Sequence, residues 1–318
     1  FKVMFYNVEN LFDCRHDTLK NDKEFLPTSM RAWGYGRYKT KIHNIAKVIT
    51  AVGGWTPPIL VGMCEVENSK VMDDLVKYSS FKEHGYRYVM TDSPDERGID
   101  VALLYQRSNF KLLNCRSIRV NFRDKARRPT RDVLHASGLI MNGDTLDVFV
   151  CHLPSRAGGE SASEPARLFA TSVIKRATDS LFCIRSHPNL IVMGDFNDYP
   201  HNASLSKVLQ AGVPTGTVYS CKLYNLLADK EANHSIGSYK YQGEWGILDQ
   251  LIVSGFLLNN SSGLHTSVDK ARICNFPFLL ERDDKSLGLR PFRTYYGMKY
   301  QGGFSDHLPV CVDFELRD

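Results

Sequence analysis

The chain has 318 residues, of which 43% are hydrophobic and 24% are charged, and its formal net charge is +5. These values are ordinary for a soluble globular protein, and a chain of this length buries a sizeable core without needing disulfide bonds. No apolar run approaches the roughly 20 residues of a membrane-spanning helix, which excludes such a helix within this sequence. The mildly basic balance suits a phosphate-bearing substrate and is common to many other protein classes.

None of the eight cysteines belongs to a CxxC pair, so the sequence predicts no structural zinc site. Cys64, Cys151 and Cys311 lie within apolar runs, where a reduced cysteine packs as a small hydrophobic residue. We expect these three to be buried thiols, and disulfide bonds among the other cysteines stay open. The chain begins inside a strand-like run without methionine, which favours an exported protein, periplasmic or extracellular, with a cytoplasmic location as the alternative.

Seven short runs rich in valine, isoleucine, leucine and aromatic residues predict β-strands at residues 3–8, 59–64, 101–105, 146–151, 190–193, 248–253 and 308–314. Apolar residues at helical spacing predict helices at residues 39–52, 70–78 and 165–181. Because strands and helices mix along the chain, the pattern favours an α/β (α+β) architecture. Without a linker or a repeat, we predict a single domain over residues 1–318, with a loop-rich insertion at about 255–303.

Polar residues of a few types recur at the boundaries of these strands: Asn7, Glu65, His152, Asp195, Asn197, Asp249, Asp306 and His307. A carboxylate, amide or imidazole at a strand end is held by a rigid sheet and can point into a cleft. Phosphate ester cleavage uses such groups, because carboxylate oxygens hold a hard cation and a positioned base activates water. Zinc hydrolysis fits less well, because the sequence contains no HExxH motif.

Each motif also has a structural explanation when it is taken alone. An ordinary turn after a strand accounts for GDFND at residues 194–198, and a capped turn accounts for SDH at residues 305–307. Asp100, inside an apolar run, is either a site residue or a structural carboxylate paired with Arg97 or another cation. The complete set, with each member at a strand boundary, favours the functional interpretation.

Together these motifs resemble the endonuclease/exonuclease/phosphatase superfamily. The matching segments lie between residues 6 and 310 and read YNVEN, GMCEVEN, RGIDVALLY, FVCHLPSR, GDFND, ILDQLIVS and SDHLPV. The resemblance implies a four-layer α/β/β/α sandwich, in which two packed, mainly antiparallel β-sheets carry helices outside and the site lies at one edge. The phrases HLPSR and PFRTYYG also resemble a bacterial branch of secreted or periplasmic endonuclease-like proteins.

The resemblance implies that Glu65 is the main metal ligand, with Asn7 and Asp306 close to it. Magnesium (Mg²⁺) is the expected ion, and manganese (Mn²⁺) is the alternative. Many members of the superfamily have glutamine before the metal-binding glutamate. This chain has Cys64 there, a change that leaves the glutamate itself in place.

The resemblance also implies catalytic roles. Asp195 would orient or deprotonate the attacking water, and Asn197 would help to hold the water and the phosphate. His307 would contact the scissile phosphate with its ring oriented by Asp249. His152 would be a second phosphate contact or the proton donor to the leaving group. The reaction implied is in-line attack of water on phosphorus.

Residues expected on the substrate side are Ser155, Arg156, Arg293 and Tyr296, with further candidates in Arg127, Arg128 and Arg131. Arginine matches phosphate geometry, and aromatic rings stack on bases or sugars, so the first hypothesis is a nuclease acting on DNA or RNA. The alternative is a phosphatase or phosphodiesterase for a small molecule or lipid head group, such as a phosphoinositide or sphingomyelin. A third hypothesis, a binding protein without activity, conflicts with the complete set of chemical groups. No sequence feature indicates an obligate protein partner.

Overall fold

Two six-stranded β-sheets packed face to face form the centre of the protein, and helices cover their outer faces. The computed structural model describes residues 1–122, 124, 127–232, 236–259 and 262–317. In chain order the strands are β1 (Lys2–Leu11), β2 (Leu60–Val66), β3 (Tyr86–Met90), β4 (Asp100–Gln106), β5 (Phe110–Ile118), β6 (Val133–Ile140), β7 (Thr145–His152), β8 (Asn189–Asp195), β9 (Leu223–Asn225), β10 (Tyr239–Tyr241), β11 (Glu244–Gly246), β12 (Asp249–Ser254), β13 (Gly263–His265), β14 (Ala271–Ile273), β15 (Leu280–Arg282), β16 (Leu289–Pro291), β17 (Tyr295–Tyr296), β18 (Lys299–Tyr300), β19 (Val310–Asp313) and β20 (Glu315–Arg317). The α-helices are α1 (Tyr35–Gly53), α2 (Ser69–Tyr78), α3 (Glu160–Ile184) and α4 (Phe256–Asn259).

The two large sheets share one pattern of strand directions. The first has the order β14-β19-β1-β2-β4-β3, and the second has the order β5-β6-β7-β8-β12-β9. In the first sheet β1 and β2 run parallel and the other neighbours run antiparallel. In the second sheet β7 and β8 run parallel and the other neighbours run antiparallel. A helix joins each parallel pair, α1 in the first sheet and α3 in the second, because parallel neighbours require a crossover connection.

Strand direction decides which residues meet at one edge. The parallel strands end at this edge, whereas their antiparallel neighbours β19 and β12 begin there. In the second sheet His152 pairs with Asp195 across β7 and β8, and Asp195 pairs with Asp249 across β8 and β12. Polar residues that follow some strands and precede others therefore come together.

Apolar side chains from both sheets form the central core. Val3 and Phe5 of β1 belong to the same buried cluster as Ile191 and Met193 of β8. At Gly62 of β2 an added Cβ atom would lie 2.9 Å from the sulfur of Met193. The glycine lets the Met193 side chain pack closely against β2, and a larger residue would displace the flexible end of that side chain.

The helices bury their apolar faces on the outer sides of the sheets. Ile45 and Ile49 of α1 pack on the first sheet together with α2, and Ile174 of α3 packs on the second. The sequence pattern predicts that α3 begins at residue 165, but the helix begins at Glu160. The preceding Gly159 is the N-cap residue, and its φ of 107° is a value that glycine adopts without steric strain.

The predicted four-layer sandwich is confirmed, and all seven predicted strands are present. The segment at residues 255–303, predicted to be rich in loops, contains α4 and the short strands β13 to β18, of which β14 pairs with β19 at the edge of the first sheet. All eight cysteines are free, and Cys64, Cys151 and Cys311 are buried as predicted. In the part of the chain that the structure describes, no helix is both long and apolar enough to cross a membrane.

A buried charge cluster stabilises the second sheet away from the edge described above. Asp147 of β7 contacts the ring of His135 at 2.9 Å and accepts hydrogen bonds from the Arg185 guanidinium at 2.7 Å and from the Ser137 hydroxyl. Burial alone would raise the pKa of Asp147, but the hydrogen bonds from His135, Arg185 and Ser137 outweigh burial and lower the pKa to about 2.

We predict that Asp147→Asn lowers the free energy of unfolding at pH 7 by at least about 2 kcal/mol, because the buried partners lose their carboxylate. In the wild type this contribution is present above about pH 4 and is lost as the pH falls towards 2, since the folded-state pKa lies below the unfolded-state value. Urea unfolding at pH 7 and pH 3 measures both effects. Asp179→Asn removes a surface carboxylate beside Lys175 and should change stability by less than about 1 kcal/mol. Equal effects of the two substitutions would contradict the prediction.

Candidate active site

Irregular backbone at the ends of β1 and β2 positions Glu65. The pairing of β1 with β2 shifts register after Asn7, and the pairing of β2 with β4 shifts register at Glu65. Glu65 therefore lies in a β-bulge and has a φ of 63°, which is unfavourable for a residue with a side chain. Its Oε2 atom accepts a hydrogen bond from the Asn10 backbone N–H at 2.8 Å, and its Oε1 atom lies 3.5 Å from the Asn7 amide nitrogen.

Asp195, the last residue of β8, is almost fully buried beside Glu65. Its Oδ1 atom accepts a hydrogen bond from the Asn197 backbone at 2.9 Å, and its Oδ2 atom accepts one from the Asn7 amide at 3.0 Å. Burial is the largest cause that raises the pKa of Asp195 to about 7, and the nearby His307 opposes the shift. This carboxyl group therefore exchanges a proton near neutral pH.

His152 ends β7 and faces both carboxylates. Its Nε2 atom lies 3.6 Å from Asp195 Oδ2 and 4.0 Å from Glu65 Oε1. Burial lowers the pKa of His152 well below its ordinary value, and the positive charge of Arg131 adds to this shift. Arg131 is itself buried and donates to the Leu153 carbonyl oxygen at 2.6 Å, so it supports the loop after β7. A neutral imidazole suits contact with a phosphate oxygen better than proton donation to a leaving group.

His307 lies just before β19 and, unlike His152, is held in the protonated form. Its Nδ1 atom contacts Asp249 Oδ2 at 2.7 Å, as predicted for an oriented ring, and its Nε2 atom lies 3.8 Å from Asp195 Oδ2. Burial alone would lower the pKa of His307, but the charges of Asp249 and Asp195 outweigh burial and raise the pKa to about 10. The ring is therefore positively charged at neutral pH. Tyr239 packs against the imidazole with ring centroids 4.7 Å apart.

Asp306 lies beside this cluster and is bound by an arginine from the segment at residues 255–303. Arg293 donates from Nη2 to Asp306 Oδ2 at 2.8 Å and from Nε to Glu9 Oε1 at 3.3 Å. Glu9 is buried and accepts a hydrogen bond from the Thr294 backbone at 2.7 Å. Burial raises the pKa of Glu9, and the charge of Asp306 adds to the shift. Arg293 thus holds two carboxylates at the margin of the site.

A buried lysine fastens the segment that bears Arg293 to helix α1. Lys41 is 2% exposed and donates to the Thr294 hydroxyl at 2.6 Å and to the Phe304 carbonyl oxygen. Burial lowers the pKa of Lys41 to about 8, which still leaves the ammonium mostly charged at pH 7. The outer helix layer and the margin of the site are therefore connected through one side chain.

The remaining predicted site residues lie around the cluster. Arg156 donates to the Asn197 carbonyl oxygen at 2.8 Å and pairs with Asp198 at 3.3 Å, so its guanidinium fastens the turn after β8. The Asn197 side chain donates to the carbonyl oxygen of residue 153 at 3.1 Å, which joins the same turn to the loop after β7. Ser155 and Tyr296 line two separate cavities, on the His152 side and the Asp306 side of the cluster.

Asp100 lies outside the cluster. It accepts hydrogen bonds from the Thr91 hydroxyl at 2.5 Å and from the Ser93 backbone at 3.0 Å. Arg97, the partner suggested by the sequence, lies instead 3.6 Å from Asp95. The pairing of Asp100 with Arg97 is therefore wrong, and the carboxylate ties the start of β4 to the turn after β3.

The oxygen atoms of the cluster fit a hard divalent cation. Glu65 Oε1 and Asp195 Oδ2 face the same Asn7 amide and the same His152 ring, which leaves two anionic oxygens close together. Magnesium and manganese prefer oxygen ligands, and the charge of such an ion would relieve this repulsion. The Asn7 nitrogen faces these oxygens while its Oδ1 atom accepts from the Glu9 backbone at 3.0 Å. Asn7 thus positions the carboxylates here, and its role as a direct ligand stays a prediction.

Among the described residues, two groups of three side chains each bring their potential ligand atoms within 4.8 Å of one another. The groups are Cys64–His152–Asp195 and Asp195–Asp249–His307, so Asp195 belongs to both. Burial raises the pKa of Cys64 well above its usual range, so the thiol stays protonated and is a poor ligand. In the second group Asp249 and His307 already bind each other. The Glu65 carboxylate, which belongs to neither group, therefore stays the predicted cation ligand, and Asp195 faces the same space.

Two residues of this arrangement were not predicted as site residues. Glu9 lies in the motif YNVEN, so the sequence does mark this segment. The resemblance, however, assigns the site role in this motif to Asn7. Tyr239 lies in a three-residue strand without an apolar run, and no local pattern marks it.

A family model described as the Endonuclease/Exonuclease/phosphatase family matches residues 2–316. Because the match spans nearly all of the sequence, the chain belongs to the endonuclease/exonuclease/phosphatase family. Members of this family hydrolyse phosphate esters. Among curated proteins no match was found.

Solved structures share the fold at low sequence identity. A family protein from Bacteroides thetaiotaomicron is 16% identical, with a TM-score of 0.63 over 98% of this chain and 96% of that chain. A mannosyl-6-phosphatase from the same organism is 15% identical, with a TM-score of 0.59 over 99% of each chain. TDP2 from D. rerio, complexed with a single-strand DNA product, is 14% identical, with a TM-score of 0.57 over 99% of this chain and 98% of that chain. At these identities the likeness shows the fold alone.

We predict that Asp249→Asn lowers the pKa of the His307 ring from about 10 by at least about one unit, because the ring loses its nearest carboxylate. NMR spectra of the imidazole nitrogens, recorded across pH with EDTA present, measure this pKa directly. The exposed His187 is an internal control, and its imidazole signals should be the same in both proteins. A His307 ring that still titrates near pH 10 in the variant would contradict the assigned interaction.

Proposed function

We propose that the protein is a divalent-cation-dependent hydrolase that cleaves phosphodiester bonds of nucleic acid, with magnesium as its ion. The observation that carries this proposal is the convergence of two carboxylates and two imidazoles at the sheet edge: Glu65, Asp195, His152 and His307. Their pKa shifts put a carboxyl base, a neutral imidazole and a charged imidazole around one point. This combination suits water attack on a phosphate ester.

Asp195 acts as the base for the attacking water. Its Oδ2 atom faces Asn7, His152 and His307, and its pKa of about 7 allows it to take the proton of water at neutral pH. Glu65 would hold the cation, which supplies positive charge to the phosphoryl oxygens when it is bound.

The two imidazoles act on the phosphoryl group in different charge states. His307, kept protonated and oriented by Asp249, places positive charge next to oxygens that become more negative during the reaction. His152, kept neutral by burial, donates one hydrogen bond to the same group. Both rings are buried and held by the sheets, so they need no reorganisation when the substrate binds.

The surface beside Ser155 supports a nucleic-acid substrate. A cavity of about 390 Å³ lies there, and four arginines and two acidic residues line it. Arg128 is 87% exposed and lies 3.8 Å from the Glu96 carboxylate, and a surface ion pair of this kind is weak enough for a ligand phosphate to replace it. An excess of arginine next to the site attracts backbone phosphates, and the net charge of +5 acts in the same direction.

Hydrolysis of a small-molecule phosphate ester is a second candidate function. A cavity of about 380 Å³ beside Asp306 has the size of a single small-molecule unit. The fold is also that of a mannosyl-6-phosphatase from Bacteroides thetaiotaomicron.

The proposed function predicts that the protein nicks plasmid DNA in magnesium and that EDTA abolishes nicking. Asp195→Ala should lower turnover by about 10²–10⁴-fold, because the base for water is removed. Circular dichroism should show an unchanged fold, and Asp179→Ala on the surface of α3 should keep full activity. Sphingomyelin and inositol phosphates are tested in parallel as alternative substrates. Nicking that persists in EDTA or in Asp195→Ala would overturn the proposal.

Glu65→Gln should raise the magnesium concentration required for half-maximal activity by at least about tenfold, because a carboxylate ligand becomes a neutral amide. Calorimetric titration with manganese should show the same loss of affinity without reference to turnover. Glu83→Gln, at an exposed position, is the matched control. Identical metal titrations of the wild type and Glu65→Gln would exclude Glu65 as a ligand.

A further inference from the structure

The cavity of about 380 Å³ opens directly next to the catalytic cluster. Its inner wall contains Tyr239, which packs on His307, and the pair formed by Arg293 and Asp306. Its outer walls come from the β10–β11 hairpin and from the turn between β15 and β16. A volume at the low end of the range for ligand pockets holds one ring-sized unit of a substrate.

A buried lysine joins the two outer walls. Lys240 donates to the Asp283 carboxylate at 2.9 Å and to two backbone carbonyl oxygens of the β15–β16 turn at 3.2 and 3.0 Å. Gly243, with a φ of 91°, lies so close to Ser286 that an added Cβ atom would be 2.9 Å from the Ser286 side chain. These contacts hold the tips of the two hairpins together, so the cavity exists before any substrate binds.

Most of the charges that line the cavity are matched, and among the described residues Lys285 is the lining cation without a carboxylate within 4.0 Å. Three of its cations have a carboxylate within 2.9 Å, in the pairs Lys240–Asp283, Arg290–Glu281 and Arg293–Asp306. A second phosphate group would need several cations without carboxylate partners, because the partners repel it, and Lys285 alone does not meet this need. Hydroxyl groups both donate and accept hydrogen bonds, so they suit a wall in which acids and bases alternate.

Tyrosine rings add flat apolar surface to this polar wall. The Arg290 guanidinium lies 4.5 Å from the ring centroid of Tyr296, and the Lys285 ammonium lies 5.1 Å from it, so cations already cover that ring. Tyr241 is 61% exposed, which leaves its ring available to a ligand. Lys285 is exposed, and the described residues offer it no carboxylate within 4.0 Å.

From the size, the charge balance and the exposed aromatic ring, we propose that this cavity is a specificity site for a single sugar ring attached to the scissile phosphate. Tyr241 packs against one face of the ring, and Lys285 donates to a ring hydroxyl. The inference rests on the proposed function and deepens it, because it names the group next to the reacting phosphorus. A nucleotide and a free sugar phosphate both present this group.

The test compares phosphate esters with and without a sugar. Thymidine 5′-(p-nitrophenyl phosphate) is paired with methyl p-nitrophenyl phosphate, and glucose 6-phosphate is paired with methyl phosphate. Tyr241→Ala and Lys285→Ala should each lower kcat/KM by about tenfold for the sugar-bearing ester of the pair that the wild type hydrolyses. The sugar-free ester of that pair should change by less than about twofold, because it leaves the cavity empty. A loss with the thymidine ester identifies a nucleotide, and a loss with glucose 6-phosphate identifies a free sugar phosphate.

Both substituted side chains are exposed, so the variants should fold, and thermal unfolding checks this. Tyr78→Ala, at the exposed end of α2, is the matched control for removal of a tyrosine ring and should leave all four reactions unchanged. Equal losses for the two esters of a pair, or no loss for either ester, would overturn the sugar site.

If none of the four esters is hydrolysed in magnesium or manganese, the proposed function fails, and binding still tests the cavity. Calorimetric titrations then use thymidine 5′-monophosphate, glucose 6-phosphate and inorganic phosphate. Tighter binding of a sugar phosphate than of inorganic phosphate, reduced in Tyr241→Ala, supports the site. Equal affinities for the three ligands overturn it.

Discussion

The direction of four central strands is the constraint on which the site depends. Because β1 runs parallel to β2 and β7 runs parallel to β8, all four finish at one edge, and the antiparallel strands β12 and β19 start at that edge. Polar groups on or next to six strands meet there without long connecting loops. Asp195 and His307 can therefore be buried at a fixed separation of 3.8 Å, in surroundings that shift the pKa of both groups.

Bringing several acidic groups together also strains the backbone. Glu9, Asn10, Glu65 and Asn197 have φ angles of 50°, 56°, 63° and 50°. A non-glycine residue in this region costs about 1–3 kcal/mol. The same distortions direct the N–H of Asn10 towards Glu65 and the N–H of Asn197 towards Asp195. Backbone strain at the site is thus offset in part by hydrogen bonds to carboxylates.

The layered fold and the polar strand ends could be predicted because each leaves a local signal. The run LIVMG before Asp195 is both a buried strand and the support of a carboxylate. The sequence did not reveal the role of Tyr239, because a three-residue strand has no pattern of its own. Nor did it show that Arg156 and Arg131 hold loops in place, since a sequence does not tell whether an arginine faces solvent or a buried carbonyl group. The pairing of Asp249 with His307 came from family resemblance, because the two residues lie 58 positions apart.

Lys41 has a consequence for the way a substrate is received. Its ammonium group is buried near the Glu9 carboxylate, and moving away from Thr294 and Phe304 would leave a buried charge without its hydrogen bonds. The backbone on which Arg293 and Asp306 sit is therefore ordered when the protein folds. A substrate that binds therefore does not have to order a mobile lid, and the conformational entropy cost of doing so is absent. The shape of this wall can then distinguish between ligands as soon as they reach the protein.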